Sequence, residues 1–292
     1  METNFERHTA KHDDDPILDF QNISTDHLKS NIKNVCGIPF INGNQNELIA
    51  LVGKKLLEIY GKEKKQGPLH IQPIDPYIFQ LIRHSKLYRS IANESFINLA
   101  AARGMIGISK ISGNPISYII PAPQFIMNLI RYAQAKEFTL FIIGSSNAIL
   151  DKLSNNLMRS FPKLRITGKH PAYMEDAEND KVVEALRKTN PHIILVSMGF
   201  KKEMKWINAN RQNLKNCVLI NLNGTLDIMT GRKKRAPDFI EEAYMTWLWE
   251  CFNRPYRWHR LFILLYGYIE IIFIRLFMKK KYPQENKVPP AP

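Results

Sequence analysis

Phe138-Thr139-Leu140-Phe141-Ile142-Ile143-Gly144-Ser145-Ser146 is the stretch from which the fold is read. Its apolar run is too short for a helix and is closed by a glycine turn, so it reads as a buried strand. The pattern that follows, to Arg159, has helical spacing. Working outward, Leu164 to Gly168 repeats the strand signal, Glu178 to Lys188 supplies a helix, His192 to Met198 is a further buried strand ending in Gly199, and Val218 to Leu222 adds another. Strands alternating with helices imply an α/β fold with a Rossmann-like parallel sheet flanked by helices, whose ligand lies outside the carboxyl ends of the strands. The loops at Gly144, Gly168, Gly199 and Asn223-Gly224 are therefore expected to line one cleft.

Upstream, residues 1–34 read as a polar arm with an acidic run at Asp13 to Asp15. Helical spacing follows over Glu47 to Tyr60, then a short strand at His70 to Ile74, a helix over Tyr77 to Ala92 introduced by Asp75-Pro76, and a helix over Gln124 to Gln134. The organisation expected is an arm (1–34), an α/β domain (35–245), a C-terminal appendage (246–282) and a Pro-rich tail (283–292).

The appendage differs in composition. Leu261 to Met278 is eighteen residues long, interrupted among charged groups by Glu270 and Arg275, and bracketed by Arg254, Arg257 and Arg260 before and Lys279, Lys280 and Lys281 after. A full span needs about 20 predominantly apolar residues, and a central acid costs about 2.5–3.5 kcal/mol. The basic brackets favour a helix that associates with a membrane face, and a core helix packed on the sheet is the alternative.

The 292 residues carry 41 Lys and Arg against 27 Asp and Glu, a net +14 that suits an acidic partner such as an anionic bilayer, a phosphorylated lipid or nucleic acid. Neither aromatic interleaving nor a recognition helix accompanies the Arg232 to Arg235 run, so nucleic acid is not expected. Cys36, Cys217 and Cys251 are scattered, and the histidines lack ligand spacing; no disulfide framework, metal or other cofactor is expected. The first fifteen residues hold five acids and two bases with no apolar stretch, unlike a signal peptide. Neither GxGxxG nor GxxxxGK[ST] occurs, which argues against dinucleotide and P-loop chemistry. The turn at Gly144-Ser145 is open to two readings, a diphosphate cradle or a strand terminator.

Several motifs agree in order and spacing with a known family. They are Phe141 to Gly144, Phe161-Pro162 to Gly168, Asn190-Pro191 to Val196, Gly199 with Lys202 and Trp206-Ile207, Gly224-Thr225-Leu226-Asp227, Gly231 with Arg235-Ala236-Pro237, and Trp247 with Pro255 and Arg257. On these the chain resembles the WecB/TagA/CpsF glycosyltransferases of bacterial cell-envelope polymers, from about Cys36 to Arg260. The resemblance implies inverting, metal-independent transfer of a sugar from a UDP donor to a polyprenyl-diphosphate-linked sugar. The site implied is the cytoplasmic face of the plasma membrane, with the protein peripheral or monotopic and its basic, apolar C-terminal appendage on the membrane.

Inverting transfer needs a base for the acceptor hydroxyl. The family's Asp-Gly pair falls on Ala101-Ala102, or two residues on at Arg103-Gly104. Its Pro-Lys-Gln-Glu loop reads Lys201-Lys202-Glu203-Met204, its arginine after GxP reads Tyr118, its Gly-x-Asp reads Pro121-Ala122-Pro123, its Glu-Trp reads Thr246-Trp247, and its Asn-Pro reads Asp75-Pro76. Two expectations follow: an impaired family member, or pseudoenzyme, that binds and assembles beside an active glycosyltransferase or other polysaccharide-assembly protein; or an active transferase with Asp75 as a relocated base. Gly144, Ser145, Gly168, Tyr173, Gly199, Asn223, Gly224 and Asp227 are the candidates for the UDP-sugar. Arg235, Arg254, Arg257 and Arg260 are those for lipid phosphate, because guanidinium forks suit phosphate oxygens. Structural turns, caps and surface solvation are the plain readings of the same residues.

Overall fold

The computed structural model describes residues 23–60, 66–172, 176–223, 225–231, 237, 240 and 258–277. In chain order these form α1 (Asp26–Ser30), β1 (Ile32–Val35), β2 (Ile38–Ile41), α2 (Gln45–Tyr60), β3 (Leu69–Ile74), α3 (Pro76–Arg83), α4 (Lys86–Asn93), β4 (Ile97–Ala100), α5 (Gly104–Ser112), α6 (Ala122–Ala135) and β5 (Thr139–Gly144). There follow α7 (Asn147–Ser160), β6 (Arg165–His170), α8 (Asp176–Thr189), β7 (Ile193–Ser197), α9 (Phe200–Asn210), β8 (Val218–Asn221), α10 (Thr225–Met229) and α11 (Trp258–Phe277).

Six strands make one parallel sheet in the order β4-β3-β8-β7-β5-β6. The central strands β5, β7 and β8 are buried and largely apolar because helices cover both faces, while β6 at the sheet edge is partly exposed. Along β5, Leu140 and Ile142 enter a core shared with α2, α6, α7 and α10, whereas Phe141 and Ile143 pack against Val182 and Leu186 of α8 and Trp206 and Ile207 of α9. A third cluster joins the β1–β2 hairpin, α3, α4, α5, Phe200 and Met204 of α9, and Ile271 of α11.

Three expectations change. The arm is structured before residue 34: Leu28 is fully buried, and β1 pairs with β2 through a two-residue turn at Cys36-Gly37 with φ of 52° and 85°. The helix expected over Tyr77 to Ala92 is two, because the Ser85 side chain accepts from the Tyr88 amide and starts α4 anew. Gly168, expected at a loop, lies within β6 opposite Phe141, whose ring would stand 2.4 Å from a β-carbon placed there.

Candidate functional site

The carboxyl ends of β3, β8, β7 and β5 are consecutive in the sheet and bring Asp75, Asn223, Gly199 and Gly144-Ser145 into one row. Gly144 has φ 118°, and a β-carbon there would sit 2.1 Å from the Ser197 carbonyl oxygen, so no other residue fits. The Ser145 amide donates to that same carbonyl at 2.7 Å, and the Ser145 carbonyl accepts from the Ala172 amide at 2.9 Å. The turn after β5 is thereby tied to the ends of β7 and β6. Gly199 has φ 83° and faces open space. Asn223, with φ 49°, donates from its side chain to the Pro73 carbonyl at 3.1 Å and anchors the β8 end to β3. Asp227 lies in the first turn of α10. Tyr173, Gly224, Arg235, Arg254 and Arg257 lie outside the described residues.

Asp75 caps α3: its Oδ1 accepts from the Ile78 amide at 2.8 Å, with Pro76 in the first helical turn. Ile74 is in register with Ala100, and the Ala101 amide donates to the Ile74 carbonyl at 2.9 Å. Asp75 and Ala101 therefore stand on adjacent strand tips, one a capping carboxylate and the other a methyl.

Behind this row runs a buried polar layer that the sequence reading missed. Glu203 is fully buried and accepts from the amides of Met198 (3.0 Å), Gly199 (2.9 Å) and Asn223 (3.1 Å). Burial pushes its carboxyl up to about 7, against the pull of those amides and the Asn221 side chain. His70 Nε2 faces Asn221 Oδ1 at 3.1 Å, and its Nδ1 stands 2.8 Å from the Ser95 hydroxyl. The legible signal was the Gly199-to-Glu203 spacing, which returns a side chain from the first helical turn to the amides at the helix start, much as a capping box does.

Burial lowers the His70 pKa from 6.5 to about 4, and the charge of Arg211 adds to the shift. The unfolded chain thus takes up a proton below pH 6.5 that the folded chain refuses down to about 4. The contribution of His70 to stability is complete above 6.5 and falls as the pH drops through that window, by roughly 3 kcal/mol for a group shifted this far. The raised carboxyl of Glu203 acts in the opposite sense between its ordinary 4.5 and about 7. Urea unfolding of the parent and of His70→Gln at successive pH values isolates the His70 part: the parent should lose about 3 kcal/mol more than the variant between pH 6.5 and 4.

α11 lies beside the β3 and β4 tips and is built with two faces. On the body side, the Tyr268 hydroxyl donates to the Gly104 carbonyl at 3.0 Å, and Glu270 pairs with Arg83 at 3.2 Å and His84 at 3.0 Å. On the same side Arg275 donates to the Ile111 carbonyl at 2.9 Å, and Ile271 is buried. Arg260, a lipid-phosphate candidate, places its guanidinium 4.4 Å from the centre of the Tyr77 ring. Away from the body, Phe262, Leu265, Tyr266, Ile269, Ile272, Phe273 and Leu276 are exposed at helical spacing, with Phe262 66% and Ile269 65% accessible. The two charges that interrupt the helix in sequence both bond to the protein, Glu270 partly covered and Arg275 still exposed, and the stripe on the opposite side is apolar. Among the described residues no helix is long and apolar enough to cross a membrane.

A six-stranded parallel sheet flanked by helices, with its turn glycines and asparagine gathered at one edge and an apolar-faced helix docked beside that edge, defines an α/β protein of the Rossmann-like kind. The chain belongs to the glycosyl transferase WecG/TagA/CpsF family, whose model matches residues 33–286, from the hairpin through α11. It is similar to the N-acetylglucosaminyldiphosphoundecaprenol N-acetyl-beta-D-mannosaminyltransferase of Bacillus subtilis (strain 168), at 23% identity over 86% of this chain and 94% of that protein. Proteins of the same name are similar to it in Bacillus spizizenii, at 24% identity over 63% of this chain and 70% of the relative, and in Staphylococcus aureus, at 21% over 74% and 83%.

Proposed function

We propose that this chain binds a UDP-sugar and a polyprenyl-diphosphate-linked sugar at the cytoplasmic face of the plasma membrane, in assembly of a bacterial envelope polysaccharide. The observation that carries this reading is α11: its charges turn inward to Arg83, His84 and Ile111, and its apolar stripe points away from the body beside the β3 and β4 tips. A helix of that kind suits the interfacial region of a bilayer, and basic residues bracketing it in sequence, including Arg254 and Arg257, suit anionic headgroups and a lipid diphosphate, while Arg260 is turned onto the Tyr77 ring. The names of the relatives support an acceptor in which sugar and lipid are joined by a diphosphate.

The chain's own transfer is slow on this reading, because the family's aspartate falls on Ala101, just past β4, or two residues on at Arg103, and neither is a carboxylate; the chain acts beside an active glycosyltransferase or another assembly protein. A second reading keeps it active with Asp75 as base. The register that sets Asp75 beside Ala101 favours this, while the engagement of Asp75 Oδ1 in capping α3 counts against it.

Calorimetry with UDP and UDP-N-acetyl sugars, on full-length protein in detergent, tests the donor half. Saturable binding that weakens when Asn223 is replaced by alanine is expected; no heat from any UDP compound would remove the nucleotide-sugar reading.

A further inference from the structure

We infer that Glu203 is a positioning residue for the donor edge of the sheet: one buried carboxylate holds the turn after β7 and the turn after β8 in fixed relation, so that Gly199 and Asn223 present a preset surface to a bound nucleotide sugar. The inference rests on the nucleotide-sugar reading above.

Glu203 projects from the first turn of α9 back toward the strand ends. Its Oε1 accepts from Met198 and Gly199 on its own side, and both oxygens accept from the Asn223 amide at 3.1 Å on the other. Gly199 and Asn223 both take positive φ, 83° and 49°, a backbone that glycine and asparagine adopt more readily than other residues and that shapes both turns. The Asn223 side chain reaches Pro73, and the Asn221 side-chain amide donates to Asn223 Oδ1 at 3.3 Å, so the stitch at Glu203 extends to β3 and along β8.

Glu203 is not the missing base. The shifted pKa lies in a range that suits acid–base work, yet the side chain is fully buried and its oxygens are occupied by amide donors, which leaves it closed off from the surface of this edge. By the same geometry the amides of Met198, Gly199 and Asn223 are already spent on an internal carboxylate. A donor diphosphate must find its partners on other groups of this edge.

Glu203→Ala, Glu203→Asp and Glu203→Gln in the full-length chain test the role, with three readouts: amide hydrogen exchange without ligand in segments covering 198–204 and 222–227, UDP affinity by calorimetry, and partition onto anionic vesicles. Aspartate is too short to reach both turns, so the Ala and Asp variants should exchange faster in both segments together and bind UDP about tenfold or more weakly. The Gln variant, whose amide oxygen still accepts from the turns, should stay within about threefold of the parent. Vesicle partition should be unchanged in all three, which general destabilisation would not leave alone. Should the Ala variant fail to fold, the Asp and Gln pair decides. A folded Asp variant with parental exchange and UDP affinity would overturn the role. Failure of the parent chain to bind UDP would overturn the nucleotide-sugar reading, while the exchange comparison would still judge whether Glu203 couples the two turns.

Discussion

Replacing Ala101 with aspartate should raise sugar transfer by about 10²–10⁴-fold, the usual contribution of a positioned general base. Ala101 sits at the tip of β4, held by its amide to the Ile74 carbonyl at 2.9 Å, and it is neither deeply buried nor part of the core clusters. Ala101 is partly exposed, so a carboxylate there keeps contact with solvent and the substitution should fold. It would stand beside Asp75 and close to Gly104, the residue that Tyr268 of α11 holds, which is where an acceptor delivered from the membrane would meet the sheet edge. UDP release with a polyprenyl-diphosphate-linked N-acetylglucosamine acceptor measures the gain. Asp75→Asn separates the two readings, because asparagine caps a helix nearly as well as aspartate. If Asp75 were the base, this variant would lose the parent's turnover and Ala101→Asp would gain nothing.

The second large effect is on membrane binding. Changing Phe262, Ile269 and Phe273 together to glutamate should lower partition onto vesicles containing anionic lipid by at least about 100-fold, since each apolar side chain contributes up to about 1.5–3 kcal/mol when fully buried. The fold should be unaffected, because these side chains are 66%, 65% and 52% exposed and belong to the outer stripe. Electrostatic attraction from the flanking arginines and lysines should weaken as salt rises, whereas the apolar part should not. Cosedimentation at two ionic strengths resolves both. Equal partition of parent and triple variant would show that the stripe meets something other than lipid.

The alternation of strands and helices was legible in Phe138 to Leu222 because burial on both faces makes β5, β7 and β8 compact apolar runs ended by a turn residue. Where that condition fails, the sequence was opaque. β4 is four residues long with Asn98 inside it, and β1 carries Lys33 and Asn34 between its buried ends, so neither announces itself. Of the site, Asp75, Gly144, Gly199 and Asn223 were readable as strand-end residues. The layer of His70, Asn221 and Glu203 was not, since it exists only because β3, β8 and β7 are neighbours in space. In α11 the charges Glu270 and Arg275 looked like costs against a bilayer. Gly267, Tyr268 and Ile271 in fact share the side facing α3 and α5, and on it Glu270 meets Arg83 and His84 while Arg275 reaches the Ile111 carbonyl, so both charges have protein partners.

The measurement that tests the account most directly is UDP release by the parent chain on anionic vesicles carrying the polyprenyl-diphosphate-linked sugar, run beside calorimetric UDP-sugar binding. Saturable binding is expected, with turnover far below that of the Ala101→Asp variant. Rapid turnover by the parent, lost in Asp75→Asn, would contradict it.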